Sequence, residues 1–140
     1  MNKQIIAHDE REMEEIGIDL AQRLQDGSLV SLVGTLGAGK TTLTKGIAKG
    51  LLITELVVSP SYLLARQYEG RMPLYHIDAY RISSLDELVE VGLDDLLPPE
   101  HGVSVVEWPE RIDGILEISD IVVRIDLLDD QARRVEITQQ

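Results

Sequence analysis

The run Gly34-Thr35-Leu36-Gly37-Ala38-Gly39-Lys40-Thr41 constrains this chain more than any other stretch, because it fits the pattern G-x-x-x-x-G-K-[ST]. Glycines let a backbone turn tightly enough for successive N–H groups to point inward around phosphate oxygens. In that geometry Lys40 sets its ammonium on the β- and γ-phosphates, and the Thr41 hydroxyl becomes a ligand for Mg²⁺. The start of the following helix adds its unpaired N–H groups and the positive end of its dipole. The flanks agree. Leu29-Val30-Ser31-Leu32-Val33 is a short apolar run that reads as a buried strand. From Lys40 to about Leu52, the apolar residues Leu43, Ile47, Ala48 and Leu51 recur at helical spacing. A nucleoside triphosphate site is therefore predicted, its cradle running from Leu36 through Gly37, Ala38, Gly39, Lys40 and Thr41 to Thr42. The competing reading is a glycine-rich turn between strand and helix.

A length of 140 residues predicts a single domain, residues 1–140, with room for a real core and little for a second module. The absence of cysteine excludes disulfides, thiolate metal sites and cysteine nucleophiles. No apolar run approaches the ~18 residues of a membrane span, and the first residues lack a signal-peptide pattern. A cytoplasmic protein with no membrane partner is expected. Twenty-five acidic against 13 basic residues leave a formal charge of −12. Phosphate contacts supply most of the affinity of nucleic-acid binders, so a polynucleotide is expected to meet this chain only through a partner protein.

Lys3 to Ala7 reads as a short edge strand. Asp9 with Glu12 three residues on reads as a capping box, opening a helix that puts Met13, Ile16, Leu20 and Leu24 on one face and stops at Gly27. Val57-Val58 leads into Ser59-Pro60-Ser61-Tyr62, where proline forces a break. Its hydroxyls make either a plain turn or a loop that senses a γ-phosphate or Mg²⁺.

Two strands then end in carboxylates. Tyr62 to Tyr68 and Leu74 to Ile77 read as strands joined at Glu69-Gly70-Arg71, and the second runs into His76-Ile77-Asp78-Ala79-Tyr80-Arg81. A carboxylate just past an apolar strand is where an open parallel sheet presents its chemistry. Asp78 is thus a candidate for orienting the attacking water or for Mg²⁺-bound water, or else a cap. His76 reads as structural. Val103-Ser104-Val105-Val106-Glu107 is the second such strand, and Glu107 is well placed to contact Mg²⁺ opposite Thr41. Trp108, the only tryptophan, follows at once.

Between these strands, Ser83 or Ser84 opens a helix with the apolar stripe Leu85, Leu88, Val89, Leu93, Leu96 and Leu97, ended by Pro98-Pro99. Its opposite face is acidic (Asp86, Glu87, Glu90, Asp94, Asp95), which is either solvated surface or a partner-docking face. Ile121 to Leu127 alternates cleanly, and Val135 and Ile137 return after Asp129-Asp130, predicting an antiparallel hairpin at the sheet's edge. Arg133 and Arg134 either approach a nucleotide or simply charge that edge. The predicted class is α/β, a single-domain phosphate-loop NTPase fold. Its central sheet is mostly parallel and flanked by helices, with antiparallel hairpin strands at the edges.

Four signatures in order, L-G-A-G-K-T-T over Leu36–Thr42, Ser59-Pro60-Ser61-Tyr62, His76-x-Asp78-x-Tyr80-Arg81 and Val106-Glu107-Trp108, closely resemble the TsaE (YjeE) family across nearly the whole chain. The resemblance implies a small ATPase of tRNA threonylcarbamoyladenosine biosynthesis. Its partner would be a complex of TsaD with TsaB, which itself transfers the threonylcarbamoyl group to tRNA adenosine. It further implies ATP and Mg²⁺ as ligands, with Lys40 and Thr41 on phosphates and metal and Glu107 on the metal. Asp78 would matter for hydrolysis, Ser59-Pro60-Ser61 would act as a switch loop and Trp108 would lie near the active site. Glu10, at the start of the first helix, would lie towards the base. Ser61 stands where threonine is common in the family, and the hydroxyl is retained.

Two other functions compete. A small-molecule kinase would normally add an arginine-bearing lid over the transferred phosphate, and Arg66, Arg71 and Arg81 sit in no obvious inserted segment. A nucleotide-gated binding protein would hydrolyse only incidentally. The chain offers no clear arginine finger or strong general base, so slow hydrolysis is expected in isolation.

Overall fold

The computed structural model describes residues 2–35, 37–60, 64–129 and 131–140. Leu36, Ser61 and Tyr62 lie outside the described residues, and so do the parts of the predicted cradle and switch loop that fall on them.

Among the described residues seven strands form one sheet: β1 (Asn2–Ala7), β2 (Ser28–Gly34), β3 (Ala65–Glu69), β4 (Pro73–Asp78), β5 (Val103–Glu107), β6 (Ile121–Leu127) and β7 (Arg133–Gln139). Their order is β1-β7-β6-β2-β5-β4-β3. The inner four, β6, β2, β5 and β4, are mutually parallel, and β3, β7 and β1 pair antiparallel outside them. This is the predicted α/β class. The β6–β7 hairpin is further inside than expected, because β1 pairs along β7 and takes the edge. That position explains why Ile121, Val122 and Val123 are all buried in succession: an inner strand is covered on both faces.

Helices cover each face and make two cores. On one face α1 (Glu10–Ala21) and α2 (Lys40–Gly50) pack over Val30, Leu32, Val103 and Val105. On the other, α3 (Leu85–Glu90) and α4 (Ile115–Ile118) bring Leu88 and Ile115 against Leu29, Ile77 and Val106. The α1–α2 contact is unusually close. A Cβ on Gly46 would stand 2.1 Å from the Glu14 carbonyl oxygen, and one on Gly17 would stand 2.3 Å from that of Leu43. Only hydrogens fit there, and the crossing draws the start of α1 up beside the start of α2.

Several local expectations differ from the structure; the strand predicted from Tyr62 to Tyr68 begins, among the described residues, only at Ala65, after Leu64 at φ +65°. Asp9 does cap α1, accepting the Glu12 N–H at 2.8 Å, but Glu12 reaches back to the His8 N–H at 2.7 Å rather than to Asp9. α1 ends at Ala21 rather than Gly27, because N–H groups of residues 22–24 fall back on carbonyls three residues earlier. Gly27 instead lines up the entry to β2, donating to the Gly102 carbonyl at 2.9 Å. The helix after Ser84 stops at Glu90, where Gly92 (φ +78°) turns the chain. Asp94–Leu96 forms a separate 3₁₀ turn.

Candidate functional site

The phosphate-loop segment leaves β2 between β5 and β6, at the carboxyl ends of the parallel strands, where open α/β sheets bind ligands. A cleft of about 430 Å³ opens there. Gly37, Ala38, Gly39, Lys40, Thr41 and Thr42 form one wall, and Asp78, Glu107 and Trp108 face them from the ends of β4 and β5. Glu10 lines the cleft from the start of α1 and Ser59 from the loop before β3. The predicted cradle residues Gly37–Thr42, the acids Asp78 and Glu107, and Glu10 are thus brought to one cleft.

Sheet register explains the two carboxylates. Asp78 and Glu107 are direct partners across parallel β4 and β5, so their side chains leave the same face of the sheet at the same height. The chain beyond them is also tied together. The Ala79 N–H donates to the Glu107 carbonyl at 2.9 Å, and the Tyr80 N–H donates to Asp78 Oδ1 at 3.0 Å.

Helix α2 begins without a side-chain cap, whereas Asp9 caps α1 and Ser84 caps α3. Its cap residue is Gly39 at φ +109°, a left-handed conformation that favours glycine. A helix start left open in this way suits an anion. Lys40, only 5% exposed, donates to the Gly34 carbonyl oxygen at 2.8 Å and lies 3.6 Å from the centroid of the Trp108 ring. Burial holds its ammonium below the ordinary lysine pKa, and the carboxylates of Glu107, Glu110 and Asp78 oppose that shift.

Glu107 is 5% exposed and pairs its Oε2 with Nε2 of the fully buried His76. A carboxylate accepts, so the imidazole carries its proton on Nε2. His76 stands opposite Val105 in the register, one pleat behind Glu107 on the same face. The reading of His76 as structural is thereby made specific: it holds the acid.

Sequence reasoning passed over several lining residues. Asp9 and Met13 face the cleft as well as serving α1, and Tyr80 and Arg81 reach it from beyond β4. Gln131 lines it from the β6–β7 turn with no signal in its sequence neighbourhood. Arg133 donates to the Ala38 carbonyl at 3.2 Å and the Gly37 carbonyl at 3.4 Å, so of the two candidate arginines it is the one at the loop. Arg134 instead pairs with Asp126 at 3.3 Å.

The site fits a magnesium–polyphosphate ligand. Among the described residues no cluster of three His, Cys, Asp or Glu side chains could hold a metal unaided. A cation between Thr41 and Glu107 would take its remaining ligands from phosphate oxygens and water, as Mg²⁺ commonly does. The buried cation Lys40 and the open helix start would meet the phosphates.

Known proteins resemble this chain over most of its length. Residues 7–135 match the family described as threonylcarbamoyl adenosine biosynthesis protein TsaE. A Streptomyces coelicolor protein named tRNA threonylcarbamoyladenosine biosynthesis protein TsaE is 42% identical over 135 residues, covering 90% of this chain and 89% of its own length. One of the same name from Treponema pallidum is 37% identical over 121 residues, covering 86% and 89%. The crystal structure of Bacillus subtilis YdiB superposes with a TM-score of 0.80 at 31% identity, covering 99% of this chain and 86% of that one. The chain therefore belongs to the TsaE family of tRNA threonylcarbamoyladenosine biosynthesis proteins.

Proposed function

We propose that residues 1–140 act as one cytoplasmic domain that binds ATP with Mg²⁺ and hydrolyses it slowly. That cycle would drive a TsaD–TsaB-type partner complex which modifies tRNA. The observation that carries this reading is the buried Lys40 ammonium on the cleft floor, opposite Asp78 and Glu107 held in register. A desolvated cation held by a carbonyl and an aromatic face gains when anionic oxygens arrive.

In this reading the amides from Leu36 to Thr42 and Lys40 would hold the β- and γ-phosphates. Thr41 and Glu107 would hold Mg²⁺, which when bound neutralises charge on those phosphates. Glu10 and Met13 would face the nucleoside end. Asp78 would orient the attacking water as its oxygen bonds to the γ-phosphorus and the bond to the bridging oxygen breaks, the water's proton leaving on the phosphate, to give ADP and phosphate. Asp78 already spends one oxygen on the Tyr80 N–H and Glu107 one on His76, consistent with modest turnover by the isolated chain. The chain's acidity keeps tRNA on the partner complex.

The deciding experiment measures phosphate release by the full chain with and without a purified TsaD–TsaB-type complex. Slow, Mg²⁺-dependent release that changes on adding the complex is expected. Release that Asp78→Ala and Glu107→Ala leave untouched would sink the reading, and phosphate moved to a metabolite faster than to water would favour a kinase.

A further inference from the structure

No lysine or arginine stands between Arg81 and Arg111, while α3 and the 3₁₀ turn after it carry Asp86, Glu87, Glu90, Asp94 and Asp95. Acidic helices often just face water. This one has an apolar centre: Leu85 is 48% exposed, Val89 53% and Val91 54%. Leu85 and Val89 are four residues apart and share one helix face, whereas the helix's own packing uses Leu88. Asp86 and Glu90, also four apart and exposed, run beside that face. Charged rims around exposed apolar centres are typical of protein-binding surfaces. The segment is also next to the site, since Asp78, Tyr80 and Arg81 line the cleft and Ser84 caps α3 three residues later.

We propose that this face docks the partner complex. The partner surface would be a protein socket that takes Leu85, Val89 and Val91, rimmed by lysines and arginines complementary to the acids. The inference rests on the proposal that the chain works on a partner complex, and it adds which face does so. Five acids and no base on this stretch repel a polynucleotide, which favours a protein occupant. A second apolar pair, Leu52 at 70% exposure and Leu56 at 77%, is a weaker candidate. Leu56 lies beside Lys45, Lys49 and Glu14, a mixed-charge groove sharing no residue with the cleft.

The test uses the full chain and a purified TsaD–TsaB-type complex from the same organism, with binding measured by calorimetry at low and high salt. Leu85→Ser with Val89→Asp should weaken binding by about tenfold or more. Asp86→Lys with Glu90→Lys should weaken it and remove most of its salt dependence. Leu56→Asp should bind as wild type, and partner-free hydrolysis should be unchanged in all three. If the wild type binds and the α3 variants bind equally well, the surface is wrong while the proposed function stands. Loss on Leu56→Asp with retention in the α3 variants places docking elsewhere and overturns the inference. Failure of the wild type to bind overturns both.

Discussion

Lys40 Nζ lies 3.6 Å from the Trp108 ring centroid, and the Tyr80 ring, tilted by 58°, has its centroid 5.0 Å from that of Trp108. Trp108 adopts φ 59° and ψ 46°, a left-handed conformation unfavourable for a bulky residue by about 1–3 kcal/mol. The strain places the indole over the ammonium. Such a cation–π contact contributes about 0.5–2 kcal/mol, less than the roughly 1.5–3 kcal/mol of a charge-assisted hydrogen bond. Phosphate should therefore draw Lys40 off the ring. Emission from this single tryptophan should change saturably on titration with Mg²⁺ and ADP, and Lys40→Ala should weaken binding by at least about 100-fold. Unchanged emission at saturation, or near-unchanged calorimetric titration of the variant, would count against the site.

His76→Phe keeps a planar aromatic ring but leaves the buried Glu107 carboxylate without its imidazole partner. An unsatisfied buried acceptor costs about 1–3 kcal/mol, so the denaturant midpoint should fall by that equivalent. Turnover should fall more than nucleotide affinity, because Glu107 is the group released. A variant with wild-type turnover would show that the pair does not position the acid.

Gly46→Ala sets two effects against each other. Alanine favours a helix interior by up to about 1 kcal/mol over glycine. The new Cβ would meet the Glu14 carbonyl at 2.1 Å, and forcing the helices apart costs about 1–3 kcal/mol. The clash wins, so thermal stability should drop. Nucleotide affinity should drop with it, because the same crossing carries Glu10 and Met13 to the cleft. A stabilised variant would refute the close packing.

Asp129 accepts N–H groups from Ala132 at 2.7 Å and Gln131 at 2.9 Å, and these bonds, Ala132's foremost, hold its carboxyl below the ordinary aspartate value. The folded pKa is the lower one, so the unfolded chain binds the proton first as pH falls. The stabilisation is therefore complete above the unfolded value of about 3.9 and disappears as pH falls through the folded one. Asp129→Ala should melt below wild type at neutral pH, and the gap should close in acid. The same turn supports Arg133, whose guanidinium also donates to the Asp129 carbonyl at 3.2 Å. Its loss should loosen the arginine's hold on Ala38 and Gly37. A gap that persists in strong acid would exclude this origin.

Much of the site was legible because its parts are local. A phosphate cradle is made by consecutive backbone groups, and an apolar strand ending in an acid is a contiguous pattern, so Gly37–Thr42, Asp78 and Glu107 could be read directly. The α3 segment was misjudged for the complementary reason: its hydrophobic spacing continues past Glu90, but Gly92 at φ +78° turns the chain before the stripe can continue as a helix. β6 kept the predicted bounds yet moved inward, since alternation reveals a strand's faces and not its neighbours.

From the amino-acid order alone came the glycine-rich loop between strand and helix, the two strand-end acids and the α/β alternation, all governed by interactions within a few residues. Only the tertiary structure decided that β4 and β5 lie side by side in register, that His76 stands behind Glu107, and that Arg133 reaches the loop from 95 residues away. Those choices depend on strand order and helix crossing, which are settled by the free energy of packing two cores at once and leave no mark at any single position.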